Sequence, residues 1–257
     1  MAKFDLDRVA RETSMRAIDY HETLGSTNDR AQRLAKENRN WPLLVITEQQ
    51  VAGRGRGANR WWSSDGALTF SVIAPTPTPA DPKLLPQLSL LTALAVRNAL
   101  HSYTAGHAPT VKWPNDVFIA GRKACGILIE RPGDAPEALV IGIGVNVNND
   151  FSGSPEPLHH KATSLRMISG QAIDPTEVLI GILQRLLETL DCCEQAASRL
   201  REDWNQHCLL SGRTVTIARG QDQIVGRCQG IRDDGALIIA TTSGQEFLHA
   251  GVVVAYD

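Results

Sequence analysis

The chain has 257 residues, 42% hydrophobic and 21% charged, with a formal net charge of −2. That is enough for one large domain, or a domain with a small appendage, around a sizeable core. The near-neutral balance excludes a chain-wide basic field of the kind that binds nucleic acid or an anionic membrane surface.

The segment opening Met1-Ala-Lys-Phe-Asp5 lacks an apolar signal region, and no apolar run approaches the length of a membrane span. The five cysteines (Cys125, Cys192, Cys193, Cys208, Cys228) are odd in number and two are adjacent, so reduced thiols in a cytoplasmic protein are expected rather than a disulfide framework.

In chain order, residues 16–21 read as a short strand. Ser26 or Thr27 then caps a helix running to Glu37, with Asp29 as the acid in its first turn. Residues 43–47 and 67–73 read as apolar strands, and Pro75 to Pro86 as a proline-rich loop. Helical spacing covers 87–103. A strand at 110–113 ends at Pro114, and strands at 117–120 and 126–129 flank Gly121-Arg-Lys123 as a hairpin. Residues 138–147 form a strand containing Gly142 and Gly144, 148–162 look irregular, and Pro175 opens a long helical region to about His207. From Gly212 onward the pattern changes to short strands with turns such as Asp233-Asp-Gly235, which predicts a small all-β unit. The expected organisation is an α+β domain over 1–208 and a β domain over 209–257.

Three stretches concentrate chemistry. Gly53-Arg-Gly-Arg-Gly57, ahead of Trp61 and Trp62, is too short and too enclosed by strands for an RNA-binding Gly/Arg tail, and it is neither a P-loop nor a dinucleotide fingerprint. Glycine lets backbone approach a ligand, and arginine offers a fork for carboxylate or phosphate. On composition alone an anion-binding loop and an ordinary surface turn stay open. Lys112-Trp-Pro-Asn-Asp116 gathers a lysine, an amide and a carboxylate at a strand end, where an ordinary turn is the other reading. Gly142, Gly144 and Asn146 share one face of an apolar strand, and interior strand glycines often mark close approach of a ligand.

With these residues in view, the sequence resembles the biotin protein ligases over nearly its whole length. The matching pieces are Gly25-Ser-Thr-Asn28, Glu48-Gln-Gln-Val-Ala-Gly-Arg-Gly-Arg56, Lys112-Trp-Pro-Asn-Asp116, Gly121-Arg-Lys-Ala-Cys-Gly-Ile-Leu128, Ile141-Gly-Ile-Gly-Val-Asn146 and Ala162-Thr-Ser-Leu165. The terminal region from Gly212-Arg213 matches too, including Gly230-Ile231 and Gly235-Ala-Leu237. The resemblance implies a catalytic domain like that of class II aminoacyl-tRNA synthetases, with a mixed sheet flanked by helices, and a C-terminal SH3-like β-barrel. It implies a cytoplasmic enzyme that couples biotin to a lysine of a biotin carboxyl carrier protein through biotinyl-AMP, with ATP and Mg²⁺ accompanying it and no protein-held metal.

The same resemblance implies roles. Ser26, Thr27, Asn28 and Gln50 contact biotin, together with Gly53, Arg54, Gly55, Arg56, Lys123 and Gly126. Arg54 and Arg56 belong to a loop closing over biotin and adenylate, with Trp61 packing the closed loop and Trp62 a surface aromatic. Lys123 bridges biotin's carboxylate and the α-phosphate, and Asp116 orients or deprotonates the carrier lysine. Lys112 and Asn115 shape the nucleotide side, and Asn146 contacts adenine.

Two departures stand out. Gly57-Ala-Asn59 lies where relatives place more positive charge, and the closing Gly251-Val-Val-Val-Ala-Tyr256 lacks an acid and an arginine common in the family. Only about 15 residues precede the first expected strand, too few for the helix-turn-helix of some members, so DNA binding is not expected. A homodimer through the central sheet is compatible with the resemblance. The rival readings are a lipoate–protein ligase and a non-catalytic biotin sensor.

Overall fold

Seven strands pair into one mixed sheet: β1 (Ala17–Leu24), β2 (Leu43–Gln50), β3 (Ala67–Pro75), β4 (Thr110–Lys112), β5 (Asp116–Ile119), β6 (Arg122–Glu130) and β7 (Ala138–Asn146). Their spatial order is β1-β2-β3-β7-β6-β5-β4; β1 and β2 run parallel and all other pairs are antiparallel. This computed structural model describes residues 3–37, 39–77 and 84–257.

Strand alternation gives the two faces different work. Leu68, Phe70, Val72 and Ala74 of β3, with Leu139, Ile141, Ile143 and Val145 of β7, point into the main core. There α3 (Leu84–Leu100) and α6 (Pro175–Asp191) pack on each other and on the sheet. The opposite face carries Thr69, Ser71, Gly142 and Gly144. Its β2–β3–β7 end is covered by α2 (Thr27–Glu37), whose Ala31 and Ala35 bury against Leu43, Val45, Ile73 and Val140. The candidate site lies on the rest of that face.

α1 (Leu6–Glu12), which the sequence reading did not anticipate, docks on α6, with Arg8 bonded to Glu12 and Glu177. The expected irregular stretch contains α4 (Glu156–Lys161), and α5 (Leu165–Ser169) follows, capped by Ser164, whose hydroxyl accepts from the Met167 amide. His159 and His160, read as loop residues, sit in the last turn of α4. The long helical region is two helices, α6 and α7 (Cys193–His207), broken at Cys192. Part of the proline-rich loop lies outside the described residues. Pro86 belongs to the first turn of α3, where its missing N–H leaves no intrahelical bond unmade.

Beyond α7 come β8 (Thr214–Arg219), β9 (Asp222–Ile231), β10 (Leu237–Thr241), β11 (Gly244–Leu248) and β12 (Val252–Tyr256), an antiparallel sheet in the order β11-β10-β9-β8-β12. β11 had no apolar run to announce it: four of its five residues are exposed. The apolar face of this C-terminal sheet joins the main core through Val215, Ile217, Ile231 and Leu237, against Trp204 and Leu210. Polar contacts help to set its position. Trp113 donates its indole N–H to the Gly235 carbonyl at 3.4 Å, and Asn205 accepts from the Ile231 amide at 2.9 Å.

Candidate active site

A cavity of about 430 Å³ opens on this sheet face, within the size range of small-molecule sites. Its walls come from the N-terminus of α2, the 53–61 loop, β4 to β7, and the C-terminal sheet at Arg219, Gly220 and Val252.

At the α2 end the wall is polar and hydrogen-bonded. Gln50 Oε1 accepts from the Thr27 amide at 2.7 Å and from the Thr27 hydroxyl at 3.0 Å. The Ser71 hydroxyl lies 2.8 Å from Thr27 Oγ1 and 2.6 Å from Asn28 Oδ1. Asn28 Nδ2 donates to the Leu128 carbonyl and to Glu130. Ser26, Thr27, Asn28 and Gln50 are all buried. Locked, neutral hydrogen-bonding groups of this kind suit a polar uncharged ring rather than an ion.

Gly142 makes room for this arrangement: a Cβ there would lie 2.0 Å from Asn28 Oδ1. Gly144 does the same for Trp61, with a Cβ 2.3 Å from the indole ring. The close approach that the strand glycines signalled is therefore made by the protein's own side chains.

The 53–61 loop is an ordered miniature hairpin. Arg54 and Arg60 form an antiparallel bridge, the Gly55 amide donates to the Asn59 carbonyl at 2.8 Å, and the Trp61 amide donates to the Gly53 carbonyl at 3.0 Å. Gly57 turns the tip with φ +61°, and Asn59 caps it by donating to the Arg56 carbonyl. Gly57-Ala-Asn59 is thus the chemistry of a tight turn. Gly53 is not part of the cavity wall; without a side chain it lies against the Trp61 backbone.

The two loop arginines have different surroundings. Arg54 is held by Glu130 through two bonds of 2.9 and 2.6 Å and by Asp29 at 2.8 Å, and the Glu130 bond raises its pKa. Burial works to raise the Glu130 pKa, but bonds from Arg54 and Asn28 outweigh it and hold the carboxyl below its usual value. Arg56 lies in the wall with no ion-pair partner among the described residues, and burial lowers its pKa. Trp62 is half-buried and stacks at a tilt on Phe151, with ring centroids 5.8 Å apart, so it is more than a surface aromatic.

Lys123 stands at the centre. Its ammonium is 2.6 Å from Asp116 Oδ1 and 5.9 Å from the Trp61 ring centroid. Its placement depends on a β-bulge. The β5–β6 turn is Ala120-Gly121, both with positive φ, so Lys123 is a strand residue and not part of the turn as expected. Phe118 pairs with Lys123 but Val117 pairs with Cys125, leaving Ala124 as the extra residue. Ala124 and Cys125 both face the core, and Lys123 is thereby turned to the face it shares with Gly126. Without the bulge Lys123 would share the core-facing side of Cys125 and Ile127.

The Lys123 carbonyl accepts from the Thr163 amide at 2.9 Å and from Asn146 Nδ2 at 3.4 Å. Asn146 is buried, receives a bond from Asn149, and does not reach the cavity wall.

Lys112 pairs with Asp116 across the β4–β5 hairpin, and its ammonium lies about 5 Å from the rings of Phe118 and Tyr256. Burial lowers its pKa against the pull of Asp116. Asn115 also lines the wall, with its side-chain amide donating to the Ile127 carbonyl. Sequence reasoning did not single out Arg60, Thr69, Ser71, Glu130 or Arg219. Apart from Arg60, adjoining the lid motif, their signal was at most strand parity.

Residues 20–148 match the biotin/lipoate A/B protein ligase family, and residues 210–255 match the biotin protein ligase C-terminal domain. The chain belongs to the biotin/lipoate A/B protein ligase family. Within it, the chain is 33% identical over 233 residues to the bifunctional ligase/repressor BirA of Bacillus subtilis, covering 88% of this chain and 70% of that protein. It is 32% identical over 237 residues to the biotin–[acetyl-CoA-carboxylase] ligase of Paracoccus denitrificans, covering 89% and 96%. Among solved structures, the biotin protein ligase from Aquifex aeolicus in complex with biotin and ATP superposes with a TM-score of 0.80 at 29% identity, covering 95% of this chain and 98% of that one. The Leishmania major biotin protein ligase with biotinyl-5-AMP, at 24% identity and a TM-score of 0.63, shares the fold.

Proposed function

We propose that this chain is an ATP-dependent biotin ligase that activates biotin as biotinyl-AMP and transfers it to a lysine of a biotin carboxyl carrier protein. The observation that carries the reading is the order of chemistry along the cavity. Neutral, hydrogen-bonded polar groups lie at one end, the Lys123–Asp116 pair at the centre, and the wall also carries cations with no ion-pair partner among the described residues.

In the first step a carboxylate oxygen of biotin attacks the α-phosphorus, the bond from that phosphorus to the bridging oxygen breaks, and pyrophosphate leaves. In the second the carrier amine, having lost a proton, attacks the acyl carbon and AMP leaves. Ser26, Thr27, Asn28 and Gln50 hold the ureido ring. Lys123, a compact cation on a long stem, follows the negative charge between carboxylate and phosphate. Asp116, 2.6 Å from that ammonium, is placed to receive or orient the carrier lysine's proton. Arg56 holds the phosphate. Arg54, committed to Glu130 and Asp29, latches the lid that excludes water from the mixed anhydride. Asn146 and Thr163 act through the Lys123 backbone, fixing it on the cavity face.

Among the described residues, Asp116 is the one carboxylate in the wall, and it is engaged by Lys123. Mg²⁺ would accompany the nucleotide and neutralise charge on its phosphates. Exchange of labelled pyrophosphate into ATP, run with biotin and with lipoate, tests the reading. Exchange dependent on biotin supports it, and exchange dependent on lipoate alone replaces it with a lipoate ligase.

A further inference from the structure

Among the described residues, six cationic side chains line the cavity: Arg54, Arg56, Arg60, Lys112, Lys123 and Arg219. Arg54 is neutralised by Glu130 and Asp29, and Lys123 by Asp116. The other four have no carboxylate within ion-pair distance among the described residues. Three of them come from the catalytic domain. Arg219 comes from the C-terminal sheet, at the end of β8 where the chain turns through Gly220 (φ +64°) into β9. Asp222 is its backbone partner across this hairpin, yet the two side chains form no ion pair.

Sheet order places Arg219 relative to the chemistry. The polar groups sit on β2, β3 and the α2 N-terminus; Lys123 and Asp116 are on β6 and β5; Lys112 is on β4, at the far edge. The C-terminal sheet adjoins that far edge, through the Trp113 bond to Gly235 and the Tyr256 ring of β12 beside the Lys112 ammonium. A ligand lying across the strands with its neutral ring at the first end and its reacting carboxylate at Lys123 directs the rest of its negative charge toward Arg219.

We propose that Arg219 is a nucleotide-binding residue that grips the terminal phosphates of ATP, the group that departs as pyrophosphate. This rests on the adenylating activity proposed above. A guanidinium on the second domain recognises phosphate by charge-assisted bonds and makes ATP binding depend on the docked C-terminal sheet.

The test compares wild type with Arg219→Ala and Arg219→Lys in biotin-dependent ATP–pyrophosphate exchange, and in single-turnover transfer from purified biotinyl-AMP to a carrier domain. Arg219→Ala is expected to raise the KM for ATP about 10-fold, with the KM for biotin and transfer from preformed biotinyl-AMP unchanged. Arg219→Lys should recover part of the loss. An unchanged KM for ATP in Arg219→Ala, beside an active wild type, would overturn the proposal. So would a defect confined to the transfer step, which would place Arg219 on the carrier-docking surface. Absence of exchange in the wild type would instead defeat the adenylating activity itself.

Discussion

The proposed adenylation depends most on one side chain, Lys123. Replacing it with alanine leaves Asp116 unpaired and, on the proposed mechanism, removes the charge between the reacting carboxylate and phosphate. The expected result is a loss of about 10²–10³ in the adenylation rate, measured by pyrophosphate exchange, with a smaller change in biotin affinity. Arg56 lies in the cavity wall without an ion-pair partner among the described residues. Arg56→Gly should therefore release biotinyl-AMP and label bystander lysines, detected by mass spectrometry of an added unrelated protein; unchanged selectivity would remove Arg56 from intermediate retention.

The Glu130 latch adds a pH dependence of known sign. Its carboxyl is held below its ordinary 4.5, so the Arg54–Glu130 pair contributes stability that is complete above that value and is lost as pH falls through the lower folded-state pKa. Glu130→Gln is expected to cost about 1 kcal/mol at pH 7. The gap in Tm between wild type and this variant should close on acidification below about pH 4, and a gap independent of pH would contradict the assignment.

At the scale of elements, two strands show what sequence can and cannot reveal. On β7 the parity of Gly142, Gly144 and Asn146 was legible, because alternation is a local property of a strand. What approaches those glycines was not, because Asn28 and Trp61 come from elements over 80 residues away in the chain. On β6 the sequence motif pointed to Lys123 but not to its aim. A bulge at Ala124 depends on pairing with β5 and leaves no compositional mark. Arg54 and Arg56 looked equivalent in sequence and differ only because Asp29 and Glu130 converge on one of them. Gly144→Ala tests the packing. Its Cβ would overlap the Trp61 ring and must displace the lid, at a cost of about 1–3 kcal/mol. Limited trypsin digestion should then cut at Arg54, Arg56 or Arg60 faster than in wild type, with a raised KM for biotin.

For the whole molecule, the change of pattern near Gly212 announced a separate β unit, but not that its apolar face would merge with the main core. That shared core, with Trp113 and Asn205 bonded across it, holds Arg219 against the cavity, so the site is completed only when both parts are folded together. On the proposed function, this composite cavity activates biotin and passes it to a carrier lysine. Incubation of the folded protein with ATP, Mg²⁺, labelled biotin and a purified carrier domain tests it directly. One label per carrier on a single lysine, with AMP and pyrophosphate formed in step with it, is the predicted result; a folded protein that leaves the carrier unlabelled would contradict it.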